Sequence, residues 1–98
     1  MKLFKWKYGP SGNCPIQAEG HFMKHYFYFR ARHESAIIEF ASTESAWQND
    51  ILNAQYTLWT TKERYSAGWL NFNFCKLLIY CGCIRFLFKR NKESIIIN

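Results

Sequence analysis

One stretch limits the fold more than any other. From His25 to Arg32 the chain reads HYFYFRAR, and two kinds of side chain alternate along it. His25, Phe27, Phe29 and Ala31 fall on one side, Tyr26, Tyr28, Arg30 and Arg32 on the other. A period of two belongs to an extended strand, because successive side chains of a strand point to opposite faces. A strand leaves backbone N–H and C=O groups along both edges that need partners, so a sheet must be built around it. The first set is expected to form core and the second to face solvent.

Other segments supply that sheet. Leu3–Tyr8 places Phe4, Trp6 and Tyr8 opposite Lys5 and Lys7, and the turn-rich GPSGN at 9–13 closes it. Ile16–His21 alternates Ile16, Ala18 and Gly20 against Gln17, Glu19 and His21, with Met23 and Lys24 as the next turn. Ala36–Ala41 follows a loop at His33–Ser35 and carries the β-favouring Ile37, Ile38 and Phe40. Ser42 or Thr43 caps a short helix reaching about Asn53, with Trp47 and Ile51 on one face. Ala54–Thr60 is a fifth strand, and Lys62–Gly68 a polar loop. Asn71 caps a helix ending at Cys81, Gly82 takes the left-handed position after it, and Cys83–Phe88 alternates as a further strand. The fold class expected is α+β: a small, mainly antiparallel sheet of about five to six strands with two short helices packed on one side. Residues 1–90 make a single compact domain and 91–98 a C-terminal tail.

The charge is +6 overall and unevenly placed. Residues 1–32 carry +5, residues 33–61 carry −4 with no Lys or Arg, and residues 62–98 carry +5. Any positive surface must therefore be assembled from the two ends of the chain, and it would attract phosphate or an acidic protein. Aromatic residues make up 19% of the chain, more than one small core can absorb, so some rings should lie on a contact face. A face showing Tyr26, Tyr28, Arg30 and Arg32, with Lys5 and Lys7 nearby and Trp6 or Trp69 at its margin, has the parts for base stacking and phosphate neutralisation. The competing reading makes the tyrosines a second small core and pairs the arginines with Glu19 and Glu39.

Several chemistries find little support. Cys81 and Cys83 are spaced by one residue, and no second pair matches them as structural zinc sites require. No metal or cofactor is expected. Glu19, His21, His25, His33 and Glu39 could form an acid–base pair, but no nucleophile elbow, phosphate loop or metalloprotease helix is present, so no enzyme is expected. Four cysteines without an apolar leader point to reduced thiols and a cytoplasmic protein. The apolar run Phe74–Phe88 is interrupted by Lys76 and Arg85 and is shorter than the roughly 20 residues a bilayer crossing needs, so no membrane is expected.

In size, aromatic content and lack of a catalytic signature, the chain looks like small phage or mobile-element proteins that block host defences. That likeness of general appearance assigns no residue a role. With the Tyr/Arg strand it leads to the expectation of a non-enzymatic, nucleotide-binding or single-strand-binding protein that sequesters a phosphate-bearing ligand, with self-association into a homo-oligomer completing the pocket. The alternative is a small inhibitor that docks its basic aromatic face on a host enzyme or nucleic-acid-binding complex.

Overall fold

The computed structural model of the protein describes residues 3–12, 15–62, 67 and 70–97, with the side chains of 90–97 outside that description. Five strands lie in the order of the chain: β1 (Phe4–Ser11), β2 (Ile16–Phe22), β3 (His25–Arg32), β4 (Ser35–Ala41) and β5 (Ala54–Thr60). Every neighbouring pair is antiparallel, giving a meander with β3 at its centre. A short helix, α1 (Glu44–Gln48), interrupts the path from β4 to β5, and a long one, α2 (Phe72–Ile97), follows the sheet.

The local chemistry explains most of these elements. Tight pairing of β2 with β3 needs a turn at Met23 and Lys24, and both adopt positive φ, 49° and 68°, without the Asn-Gly that eases such a turn. β1 continues through Gly9 and Pro10 to Ser11, past the expected turn, because two register shifts against β2 absorb the irregularity. The first shift lets Trp6 pair with Gly20 and Tyr8 with the adjacent Glu19. Tyr8 is thereby carried to the opposite face from Phe4 and Trp6, against the simple alternation. The Thr43 side chain caps α1 by accepting from the Ala46 N–H at 3.0 Å. α1 stops at Gln48, and Asp50 turns the chain at φ 60°, so Ile51 lies outside the helix and exposed.

The core lies between the sheet and α2. One sheet face contributes Ile16, Ala18, Phe27, Phe29, Ala31, Ala36, Ile38, Phe40 and Tyr56, and α2 contributes Cys75, Leu78, Ile79, Cys83 and Phe86. Phe86 stacks on Phe40 at 4.2 Å between ring centres and meets the His25 ring edge-on at 5.1 Å. Asn71 does cap α2, its side-chain oxygen accepting from the Asn73 N–H at 2.7 Å.

Two expectations are corrected here. Cys83–Phe88 is not a strand, because α2 runs unbroken to Ile97 and Gly82 sits inside it. A Cβ at Gly82 would stand 2.9 Å from Ile38 Cγ2 and 3.2 Å from Leu58 Cδ2, so its small size brings the helix onto the sheet. The two helices also do not share a side. α2 covers the Phe27 face, whereas Trp47 of α1 packs on Tyr26 and Tyr28 of the opposite face.

Candidate functional site

The face bearing Tyr26 and Tyr28 is closed. Tyr26 is 0% and Tyr28 8% exposed. The Trp47 ring covers them at centroid distances of 5.5 Å and 4.7 Å, and its indole N–H donates to Glu39 at 3.0 Å. Beneath this lid the polar ends of both tyrosines are satisfied. The Tyr26 hydroxyl donates to Glu19, and the Tyr28 hydroxyl accepts from the Gln17 amide at 2.8 Å. Burial first, and the Glu19 contact second, hold the Tyr26 phenol well above its ordinary range. Tyr8 leans on the same carboxylate and is pushed up to about 12, mainly by desolvation.

All but one of the residues expected in a ligand site have a definite place. Tyr26 and Tyr28 have no open ring face for a base, which corrects the expectation that they project into solvent. The reason is that α1 lands on them. Trp6 is on the α2 side of the sheet, packed against Phe4 at 4.9 Å, Phe27 at 6.0 Å and Tyr80 at 6.1 Å, so it cannot share a site with them. Trp69 lies outside the described residues. Lys7 bonds Glu44 and lies 3.9 Å from Glu19. The Glu44 hydrogen bond is the largest cause raising the Lys7 amine and lowering the Glu44 carboxyl. Lys5 and Arg32 are exposed, and Arg30 is half-buried. Glu19 and Glu39 are engaged by Tyr26, Lys7 and Trp47, and among the described residues neither arginine forms an ion pair.

The acid–base candidates are divided between the two faces. His25 packs against Phe86 on the core side, while His21, 6.0 Å from the Tyr26 ring, belongs with Glu19 and Glu39 to the other. Among the described residues no three His, Cys, Asp or Glu side chains gather closely enough to hold a metal ion. Cys14 lies outside the described residues; Cys75 and Cys83 are buried, and burial pushes their thiols up to about 11 and about 12. No helix among the described residues is long and apolar enough to cross a membrane.

The open apolar surface is elsewhere, on the outside of α2. Leu77, Tyr80, Ile84 and Phe88 are 55%, 42%, 52% and 67% exposed. At about 100° per residue they share an arc of roughly 80°, diametrically opposite the arc that meets the sheet. One edge of this stripe is anchored, since Tyr80 packs on Phe4 at 5.2 Å. The sequence did carry a signal for it. Leu77, Cys81, Ile84 and Phe88 recur at four, three and four residues, the spacing of a helix–helix seam. Reading Gly82 as a helix end cuts that pattern in two.

Comparison with known proteins gives no match among family models, curated proteins or solved structures.

Proposed function

We propose that this chain is a non-enzymatic binding protein that works by a protein–protein contact through the outer face of α2. The reading rests on one observation, that α2 has two apolar faces and the sheet covers only one. Four large side chains in one stripe expose on the order of a few hundred Å² of contiguous apolar surface, a size that on a monomer is often functional. The basic aromatic face of the sheet is a poorer docking surface, because α1 occupies its aromatic part.

A photo-cross-linking residue placed at Ile84 tests the reading in cells that produce the protein. A discrete adduct is expected from Ile84 and none from Lys24, which is exposed on the β2–β3 turn. No adduct at Ile84, or the same products from both positions, would overturn it.

A second reading is favoured by Arg30 and Arg32, which project from one face without ion-pair partners among the described residues. They would hold a nucleotide or single-stranded nucleic acid by phosphate alone, with no ring beneath the base, so binding would be weak and salt-sensitive. Calorimetry against mono-, di- and cyclic nucleotides checks it. Heat that disappears in Arg30→Ala/Arg32→Ala supports this reading, and a silent panel removes it.

A further inference from the structure

We infer that the partner of the outer α2 face is an acidic amphipathic helix, a proposal that rests on the protein-binding reading above. Shape is the first argument. Leu77, Cys81, Ile84 and Phe88 follow the four–three–four spacing whose ridge fits the groove of a second helix lying nearly parallel to the first. The stripe covers three turns, about 17 Å of axis, so it suits a partner segment of roughly twelve to fifteen residues. A globular surface would not need that periodicity.

Charge is the second argument, and it selects among helices. Between Phe72 and Lys89 α2 contains Lys76, Arg85 and Lys89 and no Asp or Glu. All three cations are exposed. By helical position Lys76 lies on one flank of the stripe and Arg85 on the other, with Lys89 turned further toward the sheet, over the Tyr56 ring. Arg85 also rests over the Tyr56 ring at 4.6 Å, which fixes its place on that flank. A helix seated on the stripe therefore meets positive charge along both margins. Glu or Asp beside the partner's apolar seam would complement this frame.

The same frame argues against a second copy of this chain. In an antiparallel pair centred on the stripe, each flank meets the same flank of the other copy, which brings Arg85 alongside Arg85. In a parallel pair the Lys76 flank of one copy meets the Arg85 flank of the other. Both arrangements place like charges together with no acid on the described flanks to offset them.

The intact protein can be tested by fluorescence anisotropy against two synthetic helices of the same Leu/Ile seam, one flanked by Glu and the other by Lys. Sedimentation of the protein alone and flotation with phosphatidylglycerol-containing vesicles accompany the titration. The Glu-flanked helix is expected to bind, the Lys-flanked one at least about tenfold more weakly, with higher salt narrowing the gap. Leu77→Ser/Ile84→Ser should abolish binding of either helix. Lys76→Glu/Arg85→Glu should reverse the preference, a readout that mere loss of structure would not give.

Equal affinity for the two helices, or none for the Glu-flanked one, overturns the proposal. So does a stable dimer that cross-links through Cys81 on mild oxidation, and so does vesicle binding that surpasses binding to the acidic helix. An Ile84 adduct in cells together with any of these outcomes leaves the protein-binding reading standing and removes only the acidic helix. Absence of that adduct removes the reading itself.

Discussion

Trp47 decides what the Tyr26 and Tyr28 rings can do. Its indole touches both and is tied to Glu39, so the hydroxyl–carboxylate contacts below it are shielded from water. Trp47→Ala should reduce stability by about 2–3 kcal/mol, less than for a fully buried tryptophan because this one is half-exposed. Urea unfolding measures that loss, and an unchanged midpoint would show that the lid contributes little. Two phenols held above their ordinary range also set a pH dependence. The unfolded chain releases the Tyr8 proton near pH 10, the folded chain nearer 12. Between those values the folded state retains a proton that the unfolded state has lost, so stability is full below about 10 and falls as pH rises through the window. Tyr26 shifts in the same direction. Ultraviolet titration of the folded protein at pH 11 should therefore find at least these two tyrosines un-ionised. Thiol reactivity is equally local. Cys81 should react with an aromatic disulfide reagent in the native state, while Cys75 and Cys83 should wait for denaturant, a difference peptide mass mapping resolves.

Among the elements, α2 determines most of the architecture, and Gly82 determines how α2 sits. Adding a methyl there raises helix propensity by about 1 kcal/mol but overpacks a contact with the fully buried Ile38, at a cost of about 1–3 kcal/mol. Gly82→Ala should therefore lose on the order of 1 kcal/mol in thermal or urea unfolding. A stabilised Gly82→Ala would mean that the helix can lift off the sheet freely. The edge strands are also unlike one another. β1 carries Lys5, Lys7 and two register shifts, devices that discourage pairing with another strand. β5, Ala54–Thr60, carries no charged residue.

For the molecule as a whole, the sheet is a partition between two unequal layers. α2 spans about 39 Å by its residue count, which accounts for a long axis of 44 Å against 26 and 25 Å across. α1 fastens a small polar core on the other face. The outer stripe of α2 belongs to neither layer, so stability and binding should separate. Leu77→Ser/Ile84→Ser should shift unfolding free energy by no more than about 0.5 kcal/mol per site, since neither side chain packs in the core. Differential scanning calorimetry would detect a larger loss, which would assign the stripe to the fold instead of to a partner.

Much of this was legible in the residues. HYFYFRAR is β3 at both ends, Ala54–Thr60 is β5, and Thr43 and Asn71 cap the two helices. Each follows from a rule confined to a few neighbouring residues: a period of two, or an oxygen placed to accept from a free N–H. What a local pattern cannot give is the identity of the group that lies over a face. Tyr26 and Tyr28 alternate like solvent-facing residues, and only α1, arriving from beyond β4, makes them interior. Gly82 is equally consistent with a helix stop and with a close helix–sheet crossing until Ile38 and Leu58 are seen beside it. Alternation and capping are set by neighbours in the chain, whereas burial is set by whichever distant segment folds back on top, and that is settled only when the whole chain packs.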